Sequence, residues 1–288
     1  MTYWLLRAVR KLAQSLPLRA CYAAAALLSR IAWVILPVQR GNVLDNMAHV
    51  LGLDRRDPEV RRKALASFKN YALYIADFMR LPALDPKDME ARFQFNGWQQ
   101  LDRALQAGKG VIFISAHVGN FDLGTAAIAR RGYPVNAVAE SFRPARLNDL
   151  VQSHRSCHGT KVIPLESSAR RVLGAIRRNE ILGLLIDRPS PGTGVPVCFF
   201  GGMTQVPAGA ALLALKTGAR IVSGIIVRKP DHTYDGFATS DFDVELTGDL
   251  SADVKLLTQR IMDTMEAFIR QYPEQWFIFR PMWPKDAS

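Results

Sequence analysis

Apolar positions along this 288-residue chain change their period once, near Trp98. Before it they recur every three to four residues, the helical repeat. Tyr3 to Leu16 sets Leu5, Leu6, Val9, Leu12, Ala13 and Leu16 on one face, with Arg7, Arg10, Lys11 and Gln14 elsewhere on the wheel. An Ala/Leu-rich helix follows, reaching Trp33. "NVLDNMAHVLG" reads as a short helix stopped by Gly52 at the C′ position, where glycine takes the left-handed conformation cheaply. "DPEVRRKALASFKNYALYIADFMRLP" reads as a longer one. Asp57 is its expected N-cap, Pro58 its first helical residue, and Pro82 lies past its end.

After Trp98, helical patterns alternate with short, fully apolar runs. "VIFIS", "YPVNAVA", "KVIPL" and "ILGLLID" predict strands. "GWQQLDRALQAGKG", "FDLGTAAIARRG", "PARLNDLVQSHRSCHG" and "SSARRVLGAIRRNE" predict the helices around them. Continuous apolar strands between helices mark a parallel sheet covered on both faces. "VPVCFF-GG-MTQVP" predicts a hairpin around Gly201-Gly202. A helix opened by Pro207 and stopped by Gly218 follows, then the strand "ARIVSGIIVR" and one or two more strands in "DGFATSDFDVELTG". A closing helix begins with Ser251 as N-cap. The expected fold class is α/β. A single domain over residues 41–288 has a central, mostly parallel (mixed) sheet flanked by helices, and residues 1–40 form an N-terminal helical, membrane-associating extension.

Charge narrows the partners. Thirty-seven Lys and Arg against 26 Asp and Glu leave +11, which attracts polyanions. No nucleic-acid signature interleaves aromatic with basic residues, so nucleic acid is not expected as a partner. The apolar content points instead to anionic membrane lipids. Arg19, Arg30 and Arg40 interrupt the N-terminal apolar stretch below the ~20 residues of a span. A helix with a basic polar face lying in the membrane interface is the expectation, against a surface helix packed on its own domain. Cys21, Cys157 and Cys198 form no C-x-x-C pair and suit a reducing compartment. "SHRSCH" (Ser153 to His158) lacks the further ligand that zinc needs, so no metal is expected.

The candidate chemistry is in "VIFISAHVGNFDLG". His117 follows a strand, and Asp122 falls in the first turn of the next helix. Gly119 and Asn120 supply the turn that lets the two meet, and Asn120 can cap the helix. Open α/β sheets bind ligands at such strand ends. An imidazole there can take a proton from an attacking alcohol, with a carboxylate on its other nitrogen fixing the tautomer. The alternative is a structural histidine bonded to a capping aspartate. The arginines of the following helices, Arg143, Arg146, Arg155, Arg170, Arg171, Arg177 and Arg178, either hold phosphates or form a solvated basic face. Phe199, Phe200 and Val206 line an acyl-chain site or belong to the core.

"HVGNFDLG" resembles the H-x4-D/E block of the bacterial lipid-modifying acyltransferases, the lipid A lauroyl/myristoyl acyltransferases and the related phosphatidylinositol mannoside acyltransferase. "DRPSPGTGVPVCFFGGMTQVPAGAALLALKTGARIV" resembles the family's second signature, and "GNVLDNMAHVLG" its early helix. The resemblance implies a glycerol-3-phosphate-acyltransferase-like fold. It implies an O-acyltransferase with His117 as general base and Asp122 as its orienting carboxylate. The acyl donor would be acyl-CoA or acyl-carrier protein, with no bound cofactor. The acceptor would be a hydroxyl of a membrane glycolipid at the cytoplasmic face of the bacterial inner membrane, and no acyl-enzyme need form. Asn120, Glu140, Arg155, Asp187 and Arg188 are then substrate-binding. "IDRPS" in place of "FPEGTR" argues against glycerol phosphate as acceptor, and the ending "PEQWFIFRPMWP" departs from the lipid A enzymes. The rival readings are a thioesterase using the same pair, a Cys157 hydrolase without a G-x-S-x-G elbow, and a non-catalytic basic membrane-surface protein.

Overall fold

The computed structural model describes residues 2–240, 242 and 246–283. The N-terminal part is helical: α1 (Thr2–Ser15), α2 (Leu18–Ile35), α3 (Pro37–Leu51), α4 (Pro58–Arg80) and α5 (Pro86–Arg92). The local signals hold. Gly52 ends α3 in the left-handed conformation, and Asp57 caps α4 by accepting from the Glu59 N–H. α4 buries one stripe including Ala64, Phe68 and Tyr74.

The α/β part then runs β1 (Phe93–Phe95), α6 (Trp98–Gln106), β2 (Val111–Ser115), α7 (Phe121–Arg130), β3 (Val135–Ala139), α8 (Ala145–Ser156), β4 (Lys161–Pro164), α9 (Ser168–Arg177) and β5 (Ile181–Leu185). The hairpin β6 (Val195–Phe199) and β7 (Gly202–Val206) follows. α10 (Gly209–Thr217), β8 (Arg220–Arg228), β9 (Tyr234–Thr239) and α11 (Leu250–Gln271) close the chain. The seven-stranded sheet has the order β1-β9-β8-β2-β5-β3-β4. It is parallel except where β9 meets β8 antiparallel. This is the single mixed α/β domain that the alternating pattern predicts.

β2 is buried on both sides because successive side chains point to opposite faces. Ile112 and Ile114 join a core shared with α10 and α11. Val111 and Phe113 join a second core with Leu101 of α6 and Leu123 of α7. β8 does the same, with Ile221 and Ile225 in the first core and Val222 and Ile226 in the second. Two cores on one sheet explain why these strands read as unbroken apolar runs.

Four local expectations are corrected. Phe93–Phe95 is a strand inside the region read as helical, because its pairing with β9, about 140 residues away, leaves no local signal. The hairpin turn is Phe200-Gly201, with Phe199 opposite Gly202, since both turn residues take positive φ. Ala208, not Pro207, immediately precedes α10. Asp249, not Ser251, caps α11, its carboxylate accepting from the Ser251 N–H. The strand expected beyond β9 falls partly on Asp241 and residues 243–245, outside the described residues.

At the amino ends of the strands, buried Glu180 accepts from Arg178, Lys161 and Asn136 at 2.8–3.1 Å. Arg178 most of all, then Asn136 and Lys161, hold its carboxyl down at about 2 against burial. A depressed folded-state pKa stabilises the fold above the unfolded carboxyl pKa, and this is lost as pH falls. Glu180→Gln is therefore expected to lower the urea midpoint at neutral pH. It should also flatten the wild-type decline between about pH 4.5 and 2, read as the urea midpoint against pH.

Candidate active site

Parallel pairing of β2 with β5 sets Val111 opposite Ile181 and Ser115 opposite Leu185. Carried two residues past both strands, the same register sets His117 opposite Asp187. There the His117 Nδ1 lies 2.7 Å from Asp187 Oδ1, and the His117 backbone N–H donates to Oδ2 at 2.9 Å. Trp276 Nε1–H donates to the same Oδ2 at 2.8 Å. Asp187 is fully buried. Burial pushes its carboxyl up, but His117 and these hydrogen bonds outweigh that and leave it below the usual carboxylate range. An ionised carboxylate only accepts, so Nδ1 carries a proton, and in the neutral tautomer that this fixes, Nε2 is the nitrogen with the lone pair. Among the described residues nothing bonds Nε2. Phe121 packs edge-on against the ring at 5.5 Å.

This corrects the expected pairing. Asp122 does not brace His117. It accepts from Tyr74 Oη at 2.6 Å and from Arg155 Nε at 3.2 Å. The first turn of α7 rotates Asp122 toward α4 and α8, whereas the carboxylate at the imidazole arrives from the neighbouring strand. Burial first, then Asp122, pushes the Tyr74 phenol far above its ordinary value, so Tyr74 is the donor in that bond. Asn120 is likewise spent on structure. It is buried, caps the Leu123 N–H, and donates to Asp77 and Tyr234. Asp77 also accepts from Tyr22, Arg228 and Tyr234, which ties α2, α4, β8 and β9 behind the loop.

The loop after β2 is clamped. The His117 carbonyl accepts from Phe277 N–H, Gly119 N–H donates to the Gln275 carbonyl, and Asn120 N–H donates to the Ile226 carbonyl. Asn46 of α3 in turn holds the backbone of Ile278, Arg280 and Met282. Glu140, at the end of β3, pairs with Arg188 at 2.8 Å beside the dyad. Burial pulls its carboxyl up, but Arg188, then Arg280 and His117, leave it lowered. Glu140, Arg188, Arg155 and the dyad therefore gather at one end of the sheet.

Other expected residues do not join them. Phe199, Phe200 and Val206 are buried core, with both phenylalanine rings against Trp276 and Trp283. Their packing is that of the core alternative. His154 and His158 bond the carbonyls of Phe78 and Leu81, fastening α8 to α4 and its following turn. Burial pushes the Cys157 thiol up to about 11, which disfavours a nucleophilic thiolate. Trp276 and Tyr74 contact the two acids and were not singled out from sequence. Their partners lie 89 and 48 residues away, so the only local trace is an aromatic on a helix face and another in an aromatic-rich ending.

Comparison with known proteins follows the same line. A family model described as bacterial lipid A biosynthesis acyltransferase matches residues 1–285. A phosphatidylinositol mannoside acyltransferase of Mycobacterium tuberculosis is 31% identical over 253 residues, 84% of this chain and 77% of its own. Its counterpart in Mycolicibacterium smegmatis is 31% identical over 252 residues, 84% and 79%.

Gly119 is the tightest point of the loop. Its φ is +61°, and an added Cβ would lie 1.8 Å from the Ile226 carbonyl oxygen. Gly119→Ala is expected to cost about 2–5 kcal/mol from the left-handed backbone and the forced shift together. The lowered denaturant midpoint should be accompanied by loss of the Asn120–Ile226 amide's hydrogen-exchange protection.

Proposed function

Because the chain belongs to the bacterial lipid A biosynthesis acyltransferase family, we propose that it moves a fatty acyl chain from a thioester donor, acyl-CoA or acyl-carrier protein, to a hydroxyl of a membrane glycolipid. The observation that carries this is the His117 imidazole, oriented through Nδ1 by a buried, ionised Asp187 and left with Nε2 unbonded. Two relatives named for a mannoside acceptor, together with a C-terminal ending unlike the lipid A enzymes, favour a phosphatidylinositol mannoside-like acceptor.

The chemistry needs no acyl-enzyme. Nε2 takes the proton of the acceptor hydroxyl as its oxygen attacks the thioester carbonyl. A C–O bond forms, and the carbonyl π pair moves onto oxygen. The Phe121 and Asp122 N–H groups, which make no hydrogen bond among the described residues, and the dipole of α7 favour the oxyanion. Collapse breaks the C–S bond, and the sulfur leaves with the proton returned by Nε2. Asp187 stays ionised and stabilises the imidazolium. Glu140 and Arg188 beside the dyad suit polar and anionic parts of the acceptor headgroup, and Arg155, held by Asp122, adds a fixed positive charge.

The place of action follows from the N-terminal helices. α2 buries Cys21, Tyr22, Ala25 and Ser29 on the body of the protein, and Leu27, Leu28, Ile31 and Val34 remain exposed. α1 adds exposed Trp4, Leu5, Val9 and Leu12. By length and composition alone α2 is apolar enough to cross a membrane. One face is spent on α4, however, and its ~27 Å falls short of a 30 Å hydrocarbon core. Lying in the interface with Arg7, Lys11, Arg19 and Arg30 at the headgroups serves both faces. This supports a peripheral placement in the membrane interface.

His117→Ala is expected to abolish acyl transfer without loss of secondary structure. Asp187→Asn should lower the rate by about 10²–10⁴-fold. Asp122→Asn should act first on stability, by about 3–5 kcal/mol, because Arg155 and Tyr74 lose their ionised partner. Steady-state kinetics with denaturation curves separate the three. Free fatty acid without acylated glycolipid would identify a thioesterase instead. Leu28→Glu with Val34→Glu is expected to reduce sedimentation with anionic vesicles at least tenfold, since two charges then face the acyl region. Undiminished sedimentation would remove the interfacial placement.

A further inference from the structure

Near the C-terminal end one short segment, Glu274 to Trp276, is bonded from both sides. It lies between α4 and the loop after β2. α4 offers it Lys63, Ser67 and Asn70, spaced four and three residues apart and so on one stripe of the helix. Lys63 pairs with Glu274 at 2.6 Å, Asn70 donates to the Glu274 carbonyl at 2.9 Å, and Ser67 Oγ donates to the Trp276 carbonyl at 3.0 Å. From the other side, Val118 bridges antiparallel to Trp276. The Gln275 side chain spans Arg228 of β8, accepting from its N–H and donating to its carbonyl, each at 2.8 Å.

What this bracing delivers is one buried indole. The Trp276 ring packs against Phe199, Phe200 and Trp283. Phenylalanine would fill most of that apolar space, but it has no N–H to direct at Asp187. The two oxygens of Asp187 have different partners. Oδ1 faces the imidazole Nδ1 at 2.7 Å. Oδ2 accepts from the His117 N–H at 2.9 Å and from the indole at 2.8 Å. The indole is the donor that comes from outside the β2–β5 pair, so it fixes the rotation of the carboxylate independently of the imidazole. N–H bonds to a carboxylate also lower its affinity for a proton. Trp283, in the same aromatic cluster, has another partner, and its Nε1–H donates to the Phe199 carbonyl at 3.1 Å.

We propose that Trp276 is a positioning residue of the acyl transfer: its indole N–H keeps the Asp187 carboxylate turned toward Nδ1, where it orients His117 without taking the Nδ1 proton. The proposal rests on the acyltransferase reading of the dyad. Trp276 acts on the Nδ1 side of the ring, whereas a substrate hydroxyl meets Nε2. Loss of the indole N–H therefore changes the chemistry and spares substrate binding. Its sign follows from the charges. With one donor removed, the buried carboxylate is less neutralised, holds the imidazolium more tightly and makes His117 more basic. Such a base is protonated over a wider acidic range and returns its proton to the leaving sulfur less readily. Other charged and titratable groups gather around the dyad. Glu140 of β3 feels Arg188, Arg280 and His117. Arg155 of α8 holds Asp122 of α7, Arg228 of β8 holds Asp77 of α4, and α4 adds the phenols of Tyr71 and Tyr74. None of these bonds the Trp276 indole, so a change at that indole leaves them in place.

The test begins with a readout that does not depend on turnover. The His117 ring is titrated by NMR in the full-length protein, its resonances assigned by their loss in His117→Ala. Trp276→Phe and Trp283→Phe are then compared. Trp283→Phe disturbs the same aromatic cluster without touching Asp187, so it measures the effect of packing alone. Trp276→Phe is expected to raise the His117 midpoint by about half a pH unit or more and to move the Nδ1–H resonance, with both unchanged in Trp283→Phe. In turnover, Trp276→Phe should lower kcat at least tenfold and shift the acid limb of kcat/KM upward by the same interval, with donor and acceptor KM within twofold. Replacing Trp276 by 3-benzothienylalanine, which keeps the ring shape and lacks the N–H, should reproduce these changes and keeps the test open if the phenylalanine variant folds poorly. An unmoved His117 midpoint in the benzothienyl protein overturns the proposal. Equal shifts in Trp276→Phe and Trp283→Phe overturn it too, as does a raised KM at wild-type kcat. Absence of acyl transfer in a wild-type protein whose His117 still responds to Trp276 would instead overturn the acyltransferase reading.

Discussion

A single buried carboxylate, Asp187, sets the geometry of the functional end of this molecule. Taking an ionised carboxylate out of water costs several kcal/mol. Its three described donors, the imidazole, the His117 N–H and the Trp276 indole, contribute about 1.5–3 kcal/mol each as charge-assisted bonds. The two magnitudes are comparable only if all three donors are in place. The requirement runs both ways. Asp187 is tolerable in the core because His117 is there, and His117 is held in one tautomer because Asp187 is there.

The remaining structure keeps those donors in register. β2 and β5 place residues 117 and 187 opposite one another, and two covered faces leave the strands no freedom to slip. The loop between His117 and Asn120 is pinned on one side by β8 and on the other by the segment 275–277. That segment also delivers Trp276, and Asn46 of α3 fastens its continuation. The early helix and the C-terminal ending, remote in sequence, are therefore parts of one clamp. Asp122 has a parallel duty at the next position outward, where it neutralises Arg155 and accepts from Tyr74.

The N-terminal helices extend the same economy of faces. α1 and α2 each use one stripe against the body and leave another apolar and exposed. Tyr22 of α2 reaches Asp77, which contacts Asn120 in the loop after β2, so the exposed apolar face of α2 is continuous with the scaffold of the candidate site.

Locally encoded features were legible without coordinates. Asp57 and Asn120 cap their helices, Gly52 and Gly218 stop theirs, and the apolar runs of β2, β3 and β5 become buried parallel strands, because each depends on neighbours within a few residues. His117 at a strand end was legible for the same reason. Its partner was not. Asp122 is near in sequence but turned away by the helix, whereas Asp187 is brought in by strand pairing across 70 residues. Strand β1, the packed state of Phe199 and Phe200, and the roles of Trp276 and Tyr74 were equally decided by tertiary structure. Chain periodicity specifies which face of an element is apolar. Which other element covers that face, and which distant side chain meets a given polar atom, depends on sheet order and register that no short stretch of sequence contains.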